Sequence, residues 1–267
     1  MSARPSTRTA RLLVGALVLA ICSPAHAIEP QDRLRVSWVA DGAITGVSLA
    51  GWGISELASG ALMPPACRWC TPPGFDSSAR SALSWSNTAP ATLASSVLVV
   101  TIPAGFALYD LLSARDVGGI RTSAEDVLVV AEAVAATGLL TQGVKYVVAR
   151  QRPYAIGAGA PKDPDTRASF WSGHTSLAFA AAAAGGSVAE IRGYAGWPWV
   201  YAVGFTAAAG TGYLRLAGDR HWLSDVLAGA AAGTAVGFAV PWLHRGVTSG
   251  GVSVSVLPGG LAISGRL

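Results

Sequence analysis

Long apolar runs separated by short polar segments make up most of the chain from residue 91 onwards. Each run approaches the ~20 residues that an α-helix needs to cross a bilayer. The five predicted helices cover residues 91–109, 127–144, 168–189, 197–214 and 226–243. Their many alanines and glycines suit close packing between helices in a membrane. We predict an all-α bundle of five or six transmembrane helices, with a soluble bundle of buried Ala-rich helices as the alternative.

The segments that flank these runs are less uniform. Residues 36–58 are moderately apolar but contain Asp41 and end near Glu56, so they could span the membrane, lie at its surface or pack within the fold. Residues 59–90 are rich in Pro, Ser and Asn and are predicted to form a loop. From residue 252 to 256 Val and Ser alternate ahead of a Pro-Gly turn, which predicts a short β-hairpin near the C-terminus.

The first 27 residues have the pattern of a secretory signal peptide. Three arginines without an acidic residue precede an apolar run over residues 12–22, and cleavage is expected after Ala27. An uncleaved anchor helix is the alternative, whereas lipid attachment through Cys22 is disfavoured because the bulky Ile21 precedes it. The predicted organisation is a signal peptide (1–27), an N-terminal segment with a Pro-rich loop (28–90), the main domain (91–245) and a C-terminal tail (246–267).

Composition supports a membrane protein and limits the possible partners. Charged residues make up 13% of the chain and hydrophobic residues 51%, whereas soluble domains average ~25% charged residues. The net charge is +4, but the chain has no dense Lys/Arg block of the kind that binds nucleic acid. We predict membrane lipids as partners, with no nucleic acid and no obligate protein partner.

Two cysteines, Cys67 and Cys70, lie in the Pro-rich loop. After export such a pair is expected to form a local disulfide. In a reducing compartment the same spacing would indicate a redox or metal site, but zinc is disfavoured because no second Cys pair exists. We predict a structural disulfide.

The few charged residues after residue 144 cluster at three predicted helix ends. If the helices alternate across a bilayer, these ends lie on the same face and the clusters can meet. The clusters consist of Lys145, Arg150 and Arg152; of His174; and of Arg215, Asp219, Arg220, His221 and Asp225.

His221 and Asp225 suit nucleophilic catalysis. Because they are four residues apart, they would share one face of a helix, where the carboxylate could orient the imidazole and leave its other nitrogen nucleophilic. His174 follows Ser172 and Gly173 at a predicted helix start, where free backbone N–H groups attract an anion. Together with three cations these residues suit phosphoryl transfer without a metal; the cations are Lys145, Arg152 and Arg215.

Three motifs, in this order, resemble the type 2 phosphatidic acid phosphatase superfamily, which includes lipid phosphate phosphatases and vanadium haloperoxidases. The resemblance covers roughly residues 90–245. Trp171 and Leu214 stand where the second and third motifs usually begin with Pro and Ser. The motifs are Lys145 with Arg152-Pro153, Ser172-Gly173-His174, and Arg215 with His221 and Asp225.

The resemblance implies a role for each motif residue. His221 would attack phosphorus and become phosphohistidine, Asp225 would hold His221, and His174 would protonate the leaving alkoxide. The implied phosphate ligands are Lys145, Arg152, Ser172, Gly173 and Arg215. No metal or other cofactor is implied, and vanadate would be required only by a haloperoxidase.

The implied function is metal-independent hydrolysis of a lipid phosphomonoester or pyrophosphate in a bacterial-type inner membrane. The site would face the periplasm if residues 36–58 do not span, and the cytoplasm if they span after signal cleavage. The alternatives are a vanadate-dependent haloperoxidase and a catalytically inactive membrane protein that binds lipid or serves as a scaffold.

Other polar residues are expected to be structural. Arg150 is the alternative to Arg152 as a phosphate ligand, and Asp219 and Arg220 are expected to pair with each other. The remaining expectations are that Glu132 faces another helix, His244 ends the last helix, and residues 162–167 form a solvated loop over the site.

Overall fold

A computed structural model of the chain describes residues 34–157 and 163–246 and the strands at 253–257 and 260–264. Apart from these two short strands, the regular elements of the described residues are helices, which confirms the all-α prediction. The α-helices are α1 (Trp38–Leu57), α2 (Ser59–Leu62), α3 (Gly74–Leu83), α4 (Ala89–Ser113), α5 (Gly119–Val148), α6 (Gly173–Arg192), α7 (Trp197–Ala217) and α8 (Leu223–Leu243). The predicted signal peptide lies outside the described residues.

The five predicted long helices correspond to α4 through α8, but several of their boundaries differ. Helix α6 begins at Gly173 rather than at residue 168, because Ser172 caps it and accepts a hydrogen bond from the Thr175 amide at 3.4 Å. Helix α5 begins earlier than predicted and includes Asp126. The polar Asp126 is accommodated because Arg192 and Tyr194 each donate a hydrogen bond to it at 2.7 Å.

The prediction of a loop over residues 59–90 was wrong in part, because α2 and α3 lie within it. Helix α3 has a polar residue, Asp76, that points inward and is fully buried. Its carboxylate accepts a hydrogen bond from the amide of Ser224, at 2.8 Å, in the first turn of α8. This contact fixes α3 against the start of α8.

Helix α6 lies at the centre of the bundle and packs against α4, α5, α7 and α8. Most of its buried residues are Ala, Gly or Ser, so neighbouring backbones can approach it closely. Gly229, Gly233 and Gly237 line one face of α8 at intervals of four residues. A Cβ atom at Gly233 would overlap the backbone of Ser176 in α6, so this close approach requires glycine.

Helix α1 packs lengthwise against α5 and runs in the same direction. Gly51 and Trp52 of α1 lie against Leu139 and Gly138 of α5, and Ser55 accepts a hydrogen bond from Tyr146. Residues 36–58 therefore contain a helix that packs along α5, and whether this helix also spans the membrane is not tested by the packing. The N-terminus of α1 therefore lies at one end of the bundle, and the C-termini of α1 and α5 lie at the other.

Among the described residues, three helices are long and apolar enough to cross a membrane, judged by length and composition: α4, α5 and α8. The count of five or six spans stays a prediction. Beyond α8, strands β1 (Ser253–Leu257) and β2 (Gly260–Ser264) pair antiparallel, with Val254 opposite Ile263.

Candidate active site

A cavity of about 240 Å³ lies at the end of the bundle where α5 and α7 finish and α6 and α8 begin. Residues from all three sequence motifs line it, although the motifs are separated along the chain. The motif residues in its lining are Lys145, Arg152, Gly173, His174, Arg215 and His221. The structure thus brings two imidazoles and three cations to one cavity.

The imidazole of His221 is held in a defined tautomer. Its Nδ1 lies 2.8 Å from the carbonyl oxygen of Ser169, and its Nε2 lies 3.1 Å from a guanidinium nitrogen of Arg152. A carbonyl oxygen can only accept and a guanidinium can only donate, so Nδ1 carries the proton and Nε2 has the free electron pair. The nucleophilic nitrogen is therefore Nε2, next to the cavity.

Asp225 does not hold the His221 ring directly, which corrects the expectation from the sequence. The shortest distance from Nδ1 to its carboxylate is 3.6 Å. The two residues do not share a helical face, because α8 begins only at Leu223. Asp225 instead accepts hydrogen bonds from the Ser169 hydroxyl and, at 3.0 Å, from the Trp222 amide. It positions His221 through these two neighbours.

A buried ionic network lies behind His221. Arg150 is 1% exposed and forms ion pairs with Asp76 and Asp225, neither of which is accessible to solvent. It also donates a hydrogen bond to the hydroxyl of Ser224 at 2.7 Å. Arg152 lines the cavity and Arg150 does not. Arg150 is therefore not a phosphate ligand of this cavity.

The loop with the two cysteines covers this network. Cys67 and Cys70 are joined by a disulfide, with Cα atoms 5.5 Å apart. Between the two cysteines, the Trp69 ring stacks on the guanidinium of Arg150, whose Cζ lies 3.7 Å from the centroid of the Trp69 ring. The Trp69 carbonyl also accepts a hydrogen bond from the Gln151 amide at 3.1 Å. The disulfide loop thus connects the N-terminal segment to the arginine that supports the site.

Two of the three cavity cations, Arg152 and Arg215, differ in how they are held. Arg152 donates to the Arg220 carbonyl at 3.0 Å and to the Asp165 carboxylate at 2.7 Å. Arg215 donates to the Ser95 hydroxyl at 3.2 Å, but its buried Nε has no hydrogen-bond partner among the described residues. A buried donor without a partner favours binding of an acceptor in the cavity.

The start of α6 contributes His174 and Gly173 to the cavity. His174 Nε2 lies 3.2 Å from the hydroxyl of Ser96 in α4. Gly173 and His174 are the first residues of the helix, so their amides have no acceptor within it. The expected role of Ser172 was wrong, because its amide donates to the Asp225 carbonyl at 3.1 Å and its side chain is fully buried.

The electrostatic surroundings keep His221 neutral. Burial lowers the pKa of His221 well below its usual value, and the positive charges of Arg152, Arg215 and Lys145 lower it further. For Asp165, burial raises the pKa, but Arg152 outweighs this effect and the pKa is lowered. At neutral pH the nucleophile is uncharged and Asp165 is ionised.

Several residues of the cavity were not predicted from the sequence. Thr141 and Gln142 lie one turn before Lys145 in an otherwise apolar stretch, and this polarity was a usable signal. Glu56 and Trp52 arrive from α1, which the sequence motifs do not include. The unpredicted lining residues are Trp52, Glu56, Gly138, Thr141, Gln142 and Leu177.

The expected salt bridge between Asp219 and Arg220 is absent. Asp219 pairs with Arg80 of α3 at 2.7 Å, and the Arg220 guanidinium lies over the Tyr154 ring, 5.1 Å from its centroid. Asp165, in the loop expected to be solvated over the site, has a side chain that is 48% exposed, binds Arg152 and lines the cavity. Lys162 of the same expected loop lies outside the described residues.

The part of the chain that contains the cavity motifs matches a known protein family. Residues 126–249 match the model of the PAP2 superfamily. These residues belong to the PAP2 superfamily. The resemblance to the type 2 phosphatidic acid phosphatases that the motifs indicated is confirmed. Helices α1 and α3 and the disulfide loop lie outside the matched PAP2 region.

Two individual proteins are similar to the chain. The lipid A 1-phosphatase of Porphyromonas gingivalis is 37% identical over 106 residues, which is 40% of this chain. The chain spans about a fifth of that relative, 21% of its length. The crystal structure of a transmembrane PAP2-type phosphatidylglycerolphosphate phosphatase from Bacillus subtilis aligns with 86% of this chain and 92% of its own, at 19% identity and a TM-score of 0.38.

The buried network makes a prediction about stability. Asp76→Asn removes one of the two carboxylates that balance the Arg150 charge, so we expect the melting temperature (Tm) to fall by roughly 6 °C or more, since disrupting a buried ion pair costs about 3 kcal/mol. The matched control is Asp219→Asn, which breaks the partly exposed pair with Arg80 and should change Tm by about 2 °C or less. Thermal melts of the detergent-solubilised protein, followed by tryptophan fluorescence, measure both. Equal, small shifts for the two variants would contradict the proposed importance of the network.

Proposed function

We propose that the protein is a phosphatase that hydrolyses a phosphomonoester or pyrophosphate of a membrane lipid through a phosphohistidine intermediate. One observation carries this proposal. His221, with Nε2 free of a proton, shares a cavity with a second histidine and three cations. A nucleophile, an acid and an anion-binding set are what phosphoryl transfer through histidine requires.

In the first step Nε2 of His221 attacks phosphorus in line with the bond to the leaving oxygen. A phosphorus–nitrogen bond forms and the phosphorus–oxygen bond breaks. The negative charge of the bound phosphate offsets the cavity cations, so His174 is protonated in the substrate complex and gives this proton to the departing alkoxide. In the second step His174 takes a proton from water, the resulting hydroxide attacks phosphorus, and inorganic phosphate leaves His221. The Ser169 carbonyl holds the Nδ1 proton through both steps, so the ring does not change tautomer.

The cations and the start of α6 bind the non-bridging oxygens of the phosphoryl group. Lys145, Arg152 and Arg215 supply fixed positive charge, and the amides of Gly173 and His174 add donors at a helix N-terminus. Because these groups oppose the charge that develops in the transition state, the proposed chemistry needs no metal ion.

A lipid substrate is favoured by the setting of the cavity. Helix α5, which lines the cavity with Gly138, Thr141 and Lys145, is among those apolar enough to cross a membrane. The relative from Porphyromonas gingivalis is named for action on lipid A. We therefore propose a phosphate at a membrane surface as the substrate, with lipid A among the first lipids to test.

The proposed reaction predicts a specific loss on mutation. His221→Ala should lower kcat/KM for phosphate release by roughly 10³-fold or more, because the variant lacks the nitrogen that forms the intermediate. The matched control is Arg220→Gln, since Arg220 is adjacent in sequence but its side chain stacks on Tyr154; it should stay within about fivefold of wild type. Phosphate release is measured on a panel of lipid phosphates at 25 °C, and Tm verifies that each variant is folded.

Two reagents complete this assay. Vanadate should inhibit wild-type phosphate release, whereas EDTA should leave it within about twofold. Near-wild-type turnover by His221→Ala, or loss of activity in EDTA with Tm unchanged, would refute the proposed chemistry. Bromide oxidation with added vanadate, without phosphate release, would favour the haloperoxidase instead.

We further propose that the cavity faces the periplasm of a bacterial inner membrane. The disulfide loop lies at the cavity end of the bundle, and an oxidising compartment favours its formation. Because α1 runs towards this end, a spanning α1 would have to be entered from the cytoplasmic side. Cleavage of an exported signal before α1 is compatible with a periplasmic cavity only if α1 does not cross the membrane.

Cysteine labelling of the full-length chain tests this orientation. Ser86→Cys marks the cavity end and Val117→Cys the opposite end; each is made in a Cys22→Ser background. A membrane-impermeant maleimide added to intact spheroplasts should label Ser86→Cys, and should label Val117→Cys only after lysis. The reverse pattern would mean that the cavity faces the cytoplasm.

A further inference from the structure

A second cluster of ionisable residues lies where three helices meet, away from the cavity. Asp41 is in the first turn of α1, Glu132 is in the middle of α5, and His244 caps the end of α8. One ligand atom from each lies within 4.8 Å of the other two. Glu132 is 13 residues from Lys145 along α5, which is roughly 20 Å at the rise of an α-helix.

The tautomer of His244 is set by its backbone contact. Its Nδ1 lies 2.8 Å from the carbonyl oxygen of Val240, so Nδ1 donates. Nε2 therefore faces the two carboxylates, and in the neutral ring it presents an electron pair to them. A histidine whose distal N–H is bound to a carbonyl is the usual arrangement of a metal-ligating imidazole.

The spacing within the cluster differs from that of hydrogen bonds. Nε2 of His244 is 3.4 Å from Asp41 and 3.6 Å from Glu132, whereas a charge-assisted N–H···O bond measures about 2.7–2.9 Å. The spacing agrees with two ligands of one metal ion, since bonds of about 2.1 Å in tetrahedral geometry separate neighbouring ligand atoms by about 3.4 Å.

Glu132 provides an independent indication that the cluster binds a cation. The residue is 8% exposed, and its Oε2, the atom that faces His244, has no hydrogen-bond partner among the described residues. A buried carboxylate oxygen without a donor is costly unless a cation binds it. Asp41 is already oriented, because its carboxylate accepts a hydrogen bond from the Ser37 amide at 2.7 Å.

We propose that Asp41, Glu132 and His244 bind a divalent transition-metal ion, such as Zn²⁺ or Mn²⁺, through one imidazole nitrogen and two carboxylate oxygens. The ion is structural and joins α1 to α5 and α8. The imidazole favours a transition metal over Mg²⁺ or Ca²⁺, which prefer sites made only of oxygen. The metal is separate from the phosphate cavity and takes no part in phosphoryl transfer.

The experiment uses the full-length, tag-free protein in detergent. After dialysis against metal-free buffer, elemental analysis should find about one Zn or Mn per chain. After stripping with EDTA, addition of Zn²⁺ or Mn²⁺ should raise Tm by roughly 5 °C or more, because the ion binds only the folded state. Mg²⁺ and Ca²⁺ at the same concentration should not raise Tm.

Matched variants locate the effect. Glu132→Gln and His244→Gln should each abolish the Tm response to Zn²⁺, whereas Glu125→Gln, an acid-to-amide change in the same helix, should retain it. Wild-type protein that retains no metal and shows no Tm response to Zn²⁺ or Mn²⁺ would overturn the proposal, and so would a full response in both ligand variants. Phosphate release at 25 °C is measured separately. EDTA should lower Tm but should not lower the rate of phosphate release.

Discussion

The buried guanidinium of Arg150 constrains the arrangement of the whole site end of the bundle. A charge that is 1% exposed must be matched by buried carboxylates and acceptors, because an uncompensated ion in the interior is very costly. Its partners come from distant parts of the chain: Asp76 from α3, Asp225 from α8, and the ring of Trp69 from the disulfide loop. This one group therefore brings the three partners together at the site end of the bundle.

The same network determines how His221 is presented. Asp225 uses its carboxylate on Arg150, on the Ser169 hydroxyl and on the Trp222 amide. The carbonyl of Ser169 then fixes Nδ1 of His221. The influence of Asp225 on the nucleophile is therefore indirect and passes through the backbone at residue 169. Arg150 supports the site from behind, whereas Arg152 lines the cavity. The two arginines are two residues apart but have separate roles.

The sequence predicted the long helices well, because runs of apolar residues determine them locally. It also predicted that the three motifs would meet, since alternating helices bring their ends to one side. What it could not predict depends on contacts between distant residues. Asp76 meets Ser224 across 148 positions, and no local pattern indicates that a residue in a Ser-rich segment will be buried there.

The errors within the motifs have the same origin. The expected contact between Asp225 and the His221 ring assumed one continuous helix, but α8 begins between the two residues. The amide of Ser172 was expected to be free, but it donates to the Asp225 carbonyl. Glu56 and Trp52 reach the cavity because α1 packs along α5, a pairing that depends on the shape of the two helix surfaces.

The most direct measurement of the central claim is identification of the phosphorylated residue during turnover. The wild-type protein is mixed with a labelled lipid phosphate, quenched within the first turnovers at alkaline pH, digested and analysed by mass spectrometry. Phosphate on the Nε2 nitrogen of His221 is the predicted result. Phosphate on any other residue, or rapid turnover with no phosphorylated protein at any quench time, would contradict it.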